Sequence, residues 1–265
     1  MRAPRGRRPL RRALRATAPV LLALLVAGAG CEPRGATRTG AVPAAQAAAP
    51  GAPLELVTGS ARREDALPLV VAVHGLGDTP DAFARLYDGF EAPARVVLPR
   101  APARGARASW FALPWEEGEA AFEAGVAAAA ARLAELAEEL ARERPTRGRP
   151  IVTGFSQGGI LAFAVAALRP GSVSGAIPIA GFLPRRLWPR SRPPEAPPIR
   201  ALHGERDDLL PVAEARALVD HLRGLGFDVA LRTYPGVGHV VTREMLRDYH
   251  AALAEAVGRA AAGSP

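Results

Sequence analysis

The sequence predicts an α/β domain built on a mostly parallel sheet with helices on both faces. Two observations carry this. From Leu54 onward, short β-rich runs alternate with helical stretches, a pattern that joins parallel strands through right-handed crossovers. The run Ile151-Val-Thr-Gly-Phe-Ser-Gln-Gly-Gly159 then reads as a strand turning abruptly into a helix at Ser156. In such sheets the site lies beyond the carboxyl ends of the strands, where the informative motifs of this chain fall.

Before that domain stands a leader. Seven of the 34 basic residues precede residue 16, and no acid precedes Glu32. Without residues 1–30 the balance is 27 basic against 26 acidic residues, a net +1 in place of +8, so the basic character belongs to the leader. No nucleic-acid footprint remains. An Arg-rich start, an apolar core from Ala18 to Ala27 and the small residues Gly28-Ala29-Gly30 have the form of an export signal. That core is too short to span a bilayer as a mature helix. Cys31 is the only cysteine, which excludes an intramolecular disulfide. The junction resembles a bacterial lipoprotein signal, in which such a cysteine is lipidated and becomes the new N-terminus. Ala29 and Gly30 fit that pattern, while Gly28 stands where leucine is usual. The expectation is export to the cell envelope or periplasm, with membrane contact only through a lipid on Cys31.

Residues 31–53, rich in Ala, Pro, Gly and Thr, bury too little apolar surface to fold and read as a flexible tether. The domain is expected over residues 54–262, ample for one core. Its predicted strands are Leu69–Val73, Arg95–Leu98, Ile151–Thr153, Ala176–Ile179, Ile199–Leu202 and Val229–Thr233, each β-branched or apolar. Helical spacing marks Glu119–Arg142, Pro211–Arg223 before Gly224, and Thr242–Val257. An apolar helix, Ile160–Leu168, follows the Ser156 turn and stops at Arg169-Pro170.

The turn at Ser156 pushes its side chain out of the sheet edge, and glycines at 154 and 158 let strand and helix pass closely. A serine hydroxyl needs a base, and the base needs a group that orients it. Beyond the strand at 199–202 comes His203-Gly-Glu-Arg-Asp207-Asp208, and beyond that at 229–233 comes Gly236-Val-Gly-His239. The order Ser, Asp, His at successive strand ends is that of the α/β-hydrolase triad. His221 and His250 fall inside helices, and His74 and His203 precede glycines where a ring can brace a loop, which leaves His239 as the base. Spacing favours Asp207 as the acid, with Asp208 the alternative. The oxyanion would be met by the backbone amides of Gln157, which opens the helix, and of Leu76 in the loop His74-Gly-Leu-Gly-Asp78. Trp110, Phe111, Trp115 and Trp188 either line an acyl pocket or pack loops. Arg100, Arg104 and Arg107 either meet an anionic leaving group or are solvated.

Together, His74-Gly-Leu-Gly-Asp78, Ser109-Trp-Phe111, Gly154-Phe-Ser-Gln-Gly-Gly159, His203-Gly-x-x-Asp207 and Gly-x-Gly-His239 resemble the phospholipase/carboxylesterase family, which includes acyl-protein thioesterases. The resemblance implies an α/β-hydrolase fold with little lid, no metal and no organic cofactor. It implies cleavage of carboxylic esters, thioesters or lysophospholipids, so the expected partner is a small ester or lipid. It also carries the family's triad onto Ser156, Asp207 and His239 and its oxyanion donors onto Leu76 and Gln157. The export leader and the Pro-rich stretch Pro184–Pro198 depart from the family and set cytosolic acyl-protein substrates aside. The other readings are a peptidase of the same fold and a catalytically silent envelope binding protein.

Overall fold

The central strands Leu69–Val73, Ile151–Phe155 and Gly175–Ile179 are almost wholly apolar and buried at every residue because the sheet they form is covered on both sides. The computed structural model describes residues 52–263; the leader, Cys31 and all but the last two residues of the expected tether lie outside them. The strands are β1 (Leu54–Val57), β2 (Leu69–Val73), β3 (Arg95–Leu98), β4 (Ala103–Arg104), β5 (Arg107–Ala108), β6 (Ile151–Phe155), β7 (Gly175–Ile179), β8 (Ile199–Gly204) and β9 (Val229–Tyr234). The helices are α1 (Pro80–Phe83), α2 (Pro114–Glu117), α3 (Glu119–Glu143), α4 (Gln157–Leu168), α5 (Val212–Gly224) and α6 (Arg243–Ala262). Seven strands form one sheet in the order β1-β3-β2-β6-β7-β8-β9, parallel except for β1, which runs antiparallel to β3.

Alternation along each strand sorts the core into two layers. Val71, Val73 and Val152 face one side with α3, α4 and α5. Val70, Ala72 and Ile151 face the other with Phe83 of α1 and Met245, Tyr249 and Leu253 of α6. In α3 the buried residues Phe122, Val126, Ala129, Leu133, Ala137 and Leu140, with Ala130 and Ala134 beside them, recur at steps of three and four, so one stripe packs and the opposite face is solvated. In α4 every residue from Gln157 to Ala167 is buried, as expected of a helix apolar on all sides. The helix α6 starts at Thr242, whose hydroxyl accepts from the Met245 amide at 3.2 Å.

The six predicted strands and four predicted helices are present with ends shifted by a few residues. Five elements escaped prediction: the one-turn helices α1 and α2, too short for a helical period to show, and the strands β1, β4 and β5. The strand β1 is a half-buried edge whose Leu-Glu-Leu-Val alternation is too short to stand out. The hairpin of β4 and β5 has two residues per strand and little buried surface, so its sequence reads as loop. The Pro-rich stretch after β7 is held on the core by Leu187, Trp188 and Ala196.

Candidate active site

The strand β6 delivers Ser156 at its carboxyl end with φ +59° and ψ −116°, a conformation that costs a side-chain-bearing residue about 1–3 kcal/mol. Packing imposes it. A Cβ on Gly158 would lie 1.8 Å from the carbonyl oxygen of Val73, and one on Gly154 would lie 2.5 Å from the Gly158 carbonyl. Glycine at both positions therefore lets α4 pass close to its own strand and to the neighbouring β2. The turn is further pinned by the Ser156 amide, which donates to Ile179 O at 3.0 Å, and by Ser156 O, which accepts from Ile160 N at 2.9 Å.

The loop after β2 lies directly beside this turn: the Cβ position of Gly75 falls 3.4 Å from Ser156 Cβ. His74 is buried, and its Nδ1 lies 2.8 Å from Gly75 O. The Ala101 amide donates to His74 Nε2 at 3.3 Å, so the neutral ring carries its hydrogen on Nδ1. Burial also holds the His74 imidazole below its ordinary range. The amides of Leu76 and Gln157 donate to no other protein group among the described residues, and Gln157 is the first residue of α4, where the helix dipole favours negative charge.

Asp207 and His239 are brought together from the ends of β8 and β9. Asp207 Oδ2 accepts from His239 Nδ1 at 2.7 Å, and Oδ1 accepts from the amides of Leu209 and Leu210 at 3.0 and 2.8 Å. The two loops are joined by the Arg206 amide donating to Val237 O at 2.8 Å. Burial disfavours charge on Asp207, which is 4% exposed, but the neighbouring imidazoles of His203 and of the hydrogen-bonded His239 outweigh it and hold the carboxyl well below the usual range. His239 in turn packs on the ring of Phe155, the residue before Ser156, with centroids 4.7 Å apart. Ser156 Oγ makes no hydrogen bond among the described residues, so the contact with His239 is not closed here; such bonds often tighten only around substrate.

The remaining expectations resolve case by case. Asp208 is exposed and makes no bond to a histidine among the described residues. His203 braces its loop through Nε2, 2.7 Å from Leu210 O, and also approaches Asp207 Oδ2 at 3.4 Å, a second contact that sequence reasoning missed. His221 and His250 pack against Trp188 and Phe90. Phe111 is core, set edge-on against Phe122, and Trp188 is covered by Arg185 and His221. Trp115 is 51% exposed. Arg100 pairs with Asp81 and Arg104 with Glu117, whereas the methylenes of Arg107 lie over Gly77. Sequence reasoning assigned Gln157 only through its amide. Its side chain, 3% exposed, grips the Ser109 to Phe111 segment; the signal was a polar residue on an otherwise apolar helix.

Known proteins share both sequence and shape with this chain. A probable carboxylesterase of Oryza sativa subsp. japonica is 29% identical over 67% of this chain and 73% of its own length. An acyl-protein thioesterase 1 of Gibberella zeae is 26% identical over 69% and 88%. The crystal structure of esterase PE8 superposes with a TM-score of 0.65 at 26% identity, covering 77% of this chain and 98% of that one. The family model for phospholipase/carboxylesterase matches residues 57–256, and the chain belongs to that family of α/β-hydrolase carboxylic ester hydrolases.

Proposed function

We propose that this protein is an exported serine hydrolase that cleaves carboxylic esters, with thioesters and lysophospholipids in the same substrate class, through an acyl-enzyme on Ser156. Oγ of Ser156 attacks the carbonyl carbon while His239 Nε2 takes its proton. The amides of Leu76 and Gln157 hold the oxyanion. When the C–O or C–S bond breaks, His239 returns the proton to the leaving group. Water then attacks the acyl-enzyme with His239 as base, and Ser156 leaves reprotonated. Asp207 fixes the Nδ1–H tautomer and stabilises the imidazolium. The observation that carries this reading is the 2.7 Å bond from His239 to Asp207, with the same imidazole resting on Phe155 beside Ser156.

The leader supports export, and Cys31 supports a lipid anchor in the envelope. Membrane association of the full chain that disappears in Cys31→Ala tests that part. For the chemistry, hydrolysis of p-nitrophenyl esters from short to long acyl chains by the wild type and by Ser156→Ala is the direct test. Turnover that depends on Ser156 supports the esterase, and its chain-length optimum sizes the acyl pocket. Turnover that survives in Ser156→Ala overturns it, and a wild type inert on all esters favours the peptidase or the silent binder.

A further inference from the structure

The two amides proposed to hold the oxyanion come from separate segments, the loop after β2 and the start of α4, and their separation has to be fixed by something. We infer that the segment Ala108 to Phe111 is a strap that fixes it, with Trp110 and the side chain of Gln157 as positioning residues. This rests on the serine-hydrolase reading above.

The strap grips both sides. On the α4 side, Gln157 Oε1 accepts from the Trp110 amide at 3.0 Å, and Gln157 Nε2 donates to Ser109 Oγ at 3.1 Å and to Phe111 O at 3.3 Å. Ser109 Oγ donates to Phe111 O at 2.8 Å, so donors and acceptors match throughout and the Gln157 amide group has one orientation. On the other side, Trp110 Nε1 donates to His74 O at 2.8 Å, and Ala108 O accepts from the Gly77 amide at 2.8 Å. Those two anchors flank Leu76 in the chain, one before and one after it. The indole also rests on the His74 ring, with centroids 5.2 Å apart.

Leu76 thus sits on a short arch clamped at both ends, and the clamp is bonded to the side chain of the residue whose own amide is the second donor. Ser109, Gln157 and His74 are buried and Trp110 half-buried, and a polar network matched in this way is rigid. Oxyanion stabilisation depends on donors preset at the position the charged oxygen will occupy, so loosening the strap weakens transition-state binding more than substrate binding.

Trp110→Phe keeps an aromatic ring on His74 and removes the N–H; Gln157→Met keeps the backbone amide and the side-chain bulk and removes the grip on the strap. Each is expected to lower kcat by about 10- to 100-fold, less than the loss of a whole donor, with KM changed by less than about twofold. Affinity for a trifluoromethyl ketone, which places an oxyanion in the same position, should fall by the same factor as kcat/KM. The double variant should be no worse than the weaker single one, because both act through one strap. Circular dichroism and thermal melting identify a variant that has lost its fold, and Ser109→Ala, which removes one hydroxyl, then takes its place in the series. Wild-type turnover that does not depend on Ser156 removes the hydrolase reading and the strap with it. Turnover that does depend on Ser156, combined with unchanged inhibitor affinity, with losses confined to KM, or with additive losses in the double variant, overturns the strap alone.

Discussion

Oδ2 of Asp207 lies 2.7 Å from Nδ1 of His239, whereas Asp208, one residue further on, faces solvent. The Asp207 carboxylate is an acceptor at both oxygens, so an amide in its place would present donors to at least one N–H that needs an acceptor. Asp207→Asn is therefore expected to lower kcat/KM by about 10³- to 10⁴-fold, the scale seen when a triad acid loses its charge. Asp208→Asn should stay within about twofold of wild type. Ester hydrolysis by the two variants checks this, and the reverse ranking would make Asp208 the acid.

His74 gives the fold a pH dependence. Burial holds its folded-state pKa below the ordinary 6.5, and the Ala101 amide needs Nε2 as an acceptor. Below 6.5 the unfolded chain therefore takes up a proton that the native state resists, and stability falls as pH falls. The melting temperature of wild type minus that of His74→Gln should shrink between pH 7.5 and about 5.5. A difference that stays constant over that range would mean that His74 titrates alike in both states.

The close approach at the Ser156 turn allows a sharper test. Gly158→Ala places a methyl 1.8 Å from a backbone oxygen that cannot rotate away, whereas nothing lies within 4 Å of the Cβ position of Gly224 at the end of α5. Gly158→Ala should cost at least the upper end of the usual 1–3 kcal/mol for overpacking. Gly224→Ala should be neutral or stabilising by up to about 1 kcal/mol. Urea denaturation distinguishes the two, and near-equal stabilities would show that α4 and β2 are not in contact as described.

What the sequence disclosed follows from how local each signal is. Gly154, Ser156 and Gly158 encode a turn whose steric reason lies within five residues and one neighbouring strand, so the pattern is readable in the chain itself. Asp207 and His239 were readable because parallel crossovers deliver strand ends to one edge. The grip of Gln157 on Trp110 spans 47 positions, and no periodicity encodes a side-chain amide choosing a distant loop. The pairing of β1 with β3 was equally hidden: Glu55 and Arg95 are ordinary charged residues until the antiparallel register sets their strands side by side.

That register creates the last test. Arg95 opens β3 with only 3% exposure, and its guanidinium donates to Glu55 Oε1 at 2.5 Å and to Arg63 O at 2.6 Å. Glu55 Oε2 accepts from Arg144 Nε at 3.0 Å, which ties the end of α3 to the sheet edge. Burial disfavours charge on Glu55, but hydrogen bonds from Arg144 and Arg95 outweigh it, so the carboxyl sits below its ordinary 4.5. Its contribution to stability is complete above that value and is lost as pH falls through the lower folded-state pKa. Glu55→Ala leaves Arg95 charged and buried without its partner, and should cost about 3–5 kcal/mol in urea denaturation at pH 7. Replacing the pair together, as Glu55→Leu with Arg95→Met, should cost much less, because no unpaired charge remains. Since Arg95 begins its strand and Ser156 follows the far end of another, ester hydrolysis per folded molecule should not change in either variant. A Glu55→Ala protein as stable as wild type would show that Arg95 reaches water when its partner is removed.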